Sequence, residues 1–103
     1  MFEILKKETF AAETYLMEVA APRIAHSALP GQFLIIKMEE NSERIPLTIS
    51  DYQRVRGTVT IVFKAIGDST RKMAAYNVGD RFADVVGPLG KPSEFATMTA
   101  EEL

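Results

Sequence analysis

Arg44-Ile45-Pro46-Leu47-Thr48-Ile49-Ser50-Asp51-Tyr52 sets a cation, a proline and a hydroxyl inside a run that otherwise reads as a buried strand. An extended chain here offers the Thr48 hydroxyl on one side as a hydrogen-bonding group. The backbone of Pro46 and Leu47 forms a flat platform, and Arg44 at the mouth of the strand can meet a phosphate. After a turn over Arg54 to Gly57 comes a second strand, Thr58 to Ala65, which runs straight into Gly67-Asp68-Ser69-Thr70 and a helix start. A glycine, two hydroxyls and unpaired backbone N–H groups at the positive end of a helix dipole are the elements of an anion site.

Outward from these two strands the chain reads as strand after strand. Phe2 to Thr9 and Thr14 to Ala21 are rich in β-formers and separated by a short Ala-Ala-Glu step, which predicts a hairpin. Gln32 to Met38 is nearly continuous in apolar residues and is expected to be buried on both faces. Thr58 to Ala65 alternates, with Val59, Ile61, Phe63 and Ala65 on a core face and Thr58, Thr60, Val62 and Lys64 opposite. A last strand is expected over Arg81 to Val86, entered through Asn77 to Asp80 and left through Gly87-Pro88. One helix is expected from about Ser69 to Tyr76, with Asp68 or Ser69 as its N-cap; Pro22 to Pro30, including His26, reads as a surface loop. Six short strands separated by turn signals predict an all-β fold, a six-stranded antiparallel Greek-key barrel with one short helix.

Composition narrows the function classes. At 103 residues and 11.4 kDa the chain holds one domain, and its 47% hydrophobic and 25% charged residues are ordinary for a soluble globular protein. A net charge of −2 without a basic patch speaks against nucleic acid, and no segment reads as a membrane span or signal peptide, so a cytoplasmic location is the default expectation. The absence of cysteine excludes disulfides and thiolate ligands for an iron–sulfur cluster within these residues, and one histidine, His26, cannot build a metal site by itself.

Four segments in order, Pro30-Gly31-Gln32-Phe33, Arg44 to Ile49, Val62 to Thr70 and Gly87-Pro88-Leu89-Gly90, resemble the FAD-binding β-barrel domain of the ferredoxin–NADP reductase superfamily. Within it the chain is similar to the dihydroorotate dehydrogenase electron-transfer subunits and to the small subunit of NADH-dependent reduced ferredoxin:NADP oxidoreductase, or sulfide dehydrogenase. The resemblance implies a cofactor site made of Arg44, Pro46, Leu47, Thr48, Val62, Phe63, Lys64, Gly67, Ser69 and Thr70. Pro46, Leu47 and Thr48 fill the last three places of the motif that holds the isoalloxazine ring, with Thr48 near N5. Ile45 stands at its usual cation, so Arg44, one residue early, and Lys64 would share the diphosphate with Ser69 and Thr70. Val62-Phe63-Lys64 matches the second contact strand, where the aromatic and the cation face the cofactor. No side chain matches a general acid, base or nucleophile.

The same resemblance implies a flavoprotein oxidoreductase that passes electrons between NAD(P)H and an iron–sulfur protein, ferredoxin or larger flavin/iron–sulfur partner subunit. The barrel is then expected over residues 1–92, with 93–103 a tail leading to an NAD(P)-binding domain and a two-iron two-sulfur cluster outside this chain. Each residue also has a plainer reading. Arg44 can be a solvated charge, Thr48 a β-former, and Asp68-Ser69 a common cap. Arg71 and Lys72, placed in the first turn of the expected helix, run against its dipole unless an anion sits there. A small barrel that binds another ligand or a protein without redox activity is the alternative.

Overall fold

Residues 2–90 are described by the computed structural model. β1 (Ile4–Ala11) and β2 (Thr14–Ala20) form the expected hairpin, and Glu13 takes the left-handed conformation at its turn, φ 57°. β3 (Phe33–Lys37), β4 (Arg44–Gln53) and β5 (Thr58–Lys64) follow as an antiparallel meander, with β6 (Asp84–Leu89) returning beside β3. The order across the sheet is β1-β2-β5-β4-β3-β6. Three consecutive strands with a fourth laid beside the first make the Greek key. The two ends of the sheet meet just ahead of β6. Ile4 N–H donates to Asp80 C=O at 2.8 Å, Gly79 N–H to Ile4 C=O at 2.9 Å, and Phe82 N–H to Phe2 C=O at 3.1 Å, giving a barrel-like sheet.

The alternation of β5 is realised as read, and β2 follows the same period. Met17, Val19, Val59, Ile61 and Phe63 point inward, where they pack with Ile4, Leu34, Ile36 and Ile49. β3 differs from expectation. Leu34 and Ile36 are buried, but Phe33, Ile35 and Lys37 are only half-buried on the outer face. β6 also lies three residues later than Arg81 to Val86. Gly87-Pro88 does not end it, because the register against β3 shifts between Phe33 and Ile35. A bulge on an edge strand tolerates a residue with no N–H.

Two helices are present among the described residues instead of one. α1 (Pro22–Ser27) occupies part of the segment expected to be a loop, with proline in its first turn and Ile24 and Ala25 buried. Its exposed His26 agrees with the surface placement. Six residues are too few for a helical period to show, and burial makes the helix. α1 is fixed on the β4–β5 turn, where Arg54 donates to His26 C=O at 3.1 Å and to Ala28 C=O at 2.9 Å. Gly57 accepts from Ala21 N–H at 2.9 Å, and its φ is +71°. A Cβ added there would stand 3.1 Å from Pro22 Cβ. Gly57→Ala is therefore expected to cost at least about 1–2 kcal/mol in urea unfolding, from the left-handed backbone alone; unchanged stability would show that α1 can move away.

α2 (Asp68–Ala74) begins one residue before the expected Ser69, with Gly67 as its N-cap. In so short a helix Arg71 and Lys72 fall in the last turn, which favours cations. Their placement is thus explained without an anion, and Lys72 lies 3.7 Å from Glu39. The barrel boundary at 92 and the 93–103 tail lie outside the described residues. Among the described residues no helix is long and apolar enough to cross a membrane.

Candidate functional site

β4 belongs to two ladders. From Arg44 to Thr48 it pairs with β3, in the register Lys37↔Arg44 to Phe33↔Thr48. Its ladder with β5 runs from Gln53↔Thr58 to Ile49↔Ile61 and stops there. Past Ile49, no ladder among the described residues joins Arg44–Thr48 to the Val62–Lys64 end of β5. Along β4, Ile45 and Ile49 hold the core and Arg44, Pro46 and Thr48 are left outside.

Because β4 starts where antiparallel β5 ends, Arg44 and Lys64 stand at the same end of the sheet. Both are exposed, and neither makes an ion pair with another described residue. α2 is brought to this end by a hydrogen bond from the Ser69 hydroxyl to the Glu43 carboxylate, next to Arg44. Pro46, Leu47 and Thr48 line a depression of about 330 Å³ with Gly31 and Phe33. Of the expected site residues, Pro46, Leu47 and Thr48 thus share this depression, while Arg44, Lys64 and Ser69 stand at the end of the sheet where β4 starts.

Phe63 is different. It is 5% exposed, lies in the core and stacks on Tyr15 at 5.8 Å between ring centroids. Adjacent strand residues point to opposite faces, so the Phe63 ring and the Lys64 ammonium cannot face one ligand together. The two hydroxyls of the expected anion site are also engaged. Ser69 donates to Glu43, while Thr70 Oγ1 accepts from Gly67 N–H at 3.0 Å and lies 3.1 Å from Gly67 C=O. Glu43 adds a negative charge that the sequence reading did not include.

The comparisons with known proteins agree with this architecture. A protein of Clostridium beijerinckii, described as an uncharacterized protein in the adh 3′ region, is 53% identical over 103 residues, covering 100% of this chain and 35% of that protein. The dihydroorotate dehydrogenase B (NAD(+)) electron transfer subunit homolog of Thermotoga maritima is 40% identical over 92 residues, 89% of this chain and 33% of its own. The structure of NADH-dependent reduced ferredoxin-NADP oxidoreductase, solved in work on flavin-based electron bifurcation, superposes with a TM-score of 0.86 at 38% identity, over 89% of this chain and 35% of that one. The chain is a ferredoxin–NADP reductase-like domain. It spans about a third of the length of these relatives. No protein-family model matches it.

Within this ferredoxin–NADP reductase-like domain, sequence reasoning passed over two residues that line the depression, Gly31 and Phe33. Their signal was present in Pro30-Gly31-Gln32-Phe33, which reads as a turn ahead of a strand. A second hollow, of about 380 Å³, lies between α1 and β6 and is lined by residues such as Phe2, Arg23, Asp84 and Val86. None of the ten expected site residues reaches it.

Proposed function

We propose that the chain binds FAD at the gap between β4 and β5 and serves as the flavin domain of an oxidoreductase that passes electrons between NAD(P)H and an iron–sulfur protein or partner subunit. The observation that carries this reading is the parting of the two strands past Ile49↔Ile61, which leaves Arg44–Thr48 and Val62–Lys64 flanking one opening. The residues fit the group. Pro46 and Leu47 supply apolar surface for a planar ring, Thr48 supplies an exposed hydroxyl, and Arg44 and Lys64, without ion-pair partners among the described residues, supply cations for a diphosphate. With Ser69 turned to Glu43 and Thr70 closing its own turn, the two cations carry most of the charge neutralisation.

When bound, the flavin supplies the conversion between hydride and single-electron chemistry. Pro46 and Leu47 hold the plane of the ring, and the Thr48 hydroxyl fixes its edge near N5. Arg44 and Lys64 anchor the diphosphate end. The NAD(P) site and the two-iron two-sulfur cluster belong in this reading to sequence beyond residue 103, the electron partner is a larger flavin/iron–sulfur subunit or a ferredoxin, and the location is cytoplasmic.

Titration of the protein with FAD, followed by flavin fluorescence, tests the assignment. Thr48→Val is expected to weaken binding about tenfold or more, the loss of a hydrogen bond to a polar group in a partly desolvated seat. Unchanged affinity in a folded Thr48→Val variant would remove Thr48 from the site, and no FAD uptake by the unsubstituted protein would remove the site.

A further inference from the structure

Two of the four motifs have no role in the flavin seat as described, Pro30-Gly31-Gln32-Phe33 and Gly87-Pro88-Leu89-Gly90. In the fold they form one assembly. The Gln32 side chain accepts from Leu29 N–H at 2.9 Å and donates to Gly90 C=O at 2.9 Å. Its backbone carbonyl accepts from Ile49 N–H at 2.9 Å. One residue therefore ties together the loop before β3, the end of β6 and the point where β4 passes from one ladder to the other.

The next residue, Phe33, points to the outer face. It pairs with Thr48 on one side and Leu89 on the other, and is half-buried. The core lies on the opposite face, under Leu34 and Ile36. Gly90, at φ +85°, closes the assembly. A Cβ there would come within 3.0 Å of Phe33 Cδ1 and Cε1, so the ring keeps its place only because residue 90 has no side chain. Gly87 is held in the same way, as its Cβ would stand 3.1 Å from Leu34 Cβ.

We propose that Phe33 is a specificity-determining contact of the flavin ring, and that Gln32 and Gly90 are positioning residues that hold its side chain against the Thr48 end of the seat. The inference rests on the FAD reading. Directly opposed residues of an antiparallel pair hold their Cβ atoms about 4.5–5.5 Å apart, so a planar ligand hydrogen-bonded to Thr48 lies within contact of the Phe33 ring. Phe33 thus makes one wall of the depression, and Pro46 and Leu47 make the floor.

The test compares the unsubstituted protein with Phe33→Leu, Phe33→Tyr, Gly90→Ala and Thr48→Val. Each is measured for FAD affinity, for the visible circular dichroism of the bound flavin, and for ligand-free melting. Phe33→Leu should weaken FAD about two- to tenfold, the range of an aromatic contact, and change the visible dichroism while melting changes little. Phe33→Tyr should restore both. Gly90→Ala, which leaves Phe33 in place but displaces its ring, should alter the dichroism in the same sense. Wild-type affinity and dichroism in Phe33→Leu and Gly90→Ala, with Thr48→Val weakened, would overturn this proposal and leave the FAD reading standing. Weakening that tracks the loss of melting temperature and is not rescued by Phe33→Tyr would also overturn it. An unsubstituted protein that takes up no FAD would overturn both readings.

Discussion

Removing Arg44 and Lys64 together should weaken FAD binding about a hundredfold at low salt, and each single change to alanine should cost less. The expectation follows from their positions at the start of β4 and the end of antiparallel β5, at one end of the gap, without ion-pair partners among the described residues. Glu43 adjoins Arg44 but is engaged by the Ser69 hydroxyl. Both cations are exposed, so their attraction for a diphosphate is screened and the effect should shrink as salt rises. Titrations across the double-mutant cycle at low and physiological ionic strength measure this directly. If Lys64→Ala alone binds FAD as the parent does at low salt, the two do not share the work and Arg44 is the only clamp.

Ile61→Ala is expected to be the most damaging single change to the fold, lowering the unfolding free energy by about 2–5 kcal/mol. Ile61 is 0% exposed and sits between Met17 of β2 and Ile49 of β4 in the ladder. Its truncation opens a gap at the last paired position before β4 and β5 part. For a domain of this size that is a large share of the total stability. Urea unfolding followed by far-ultraviolet circular dichroism gives the value. A loss below about 1 kcal/mol would mean that Met17 and Ile49 close over the space.

What could be read from the residues was set by how local the cause of each element is. β5 was legible because period-2 alternation is fixed by the strand itself, and the β1–β2 hairpin because its turn is short. α1 was not, since Pro22–Ser27 is helical through the burial of Ile24 and Ala25 against strands that are distant in sequence. The end of β6 was misplaced because Gly87-Pro88 reads as a terminator, whereas the bulge that admits it depends on β3. The site follows the same division. Pro46-Leu47-Thr48 was visible as a motif and is found lining the depression, but the engagement of Ser69 by Glu43 joins two segments 26 residues apart and leaves no local trace. The inward turn of Phe63 was legible from its own alternation, which outweighs its place in a cofactor motif.

The dual membership of β4 has a further consequence for how the domain lives without its ligand. Between Arg44–Thr48 and Val62–Lys64 the barrel carries two strand edges that are unpaired among the described residues, backed by complete ladders to β3 and β2. Free edges are where amide protons exchange first and where stray strands pair. A bound cofactor would fill that seam like a missing stave. Its departure would loosen one slot while the rest of the wall stands, so loading and unloading need not pass through global unfolding.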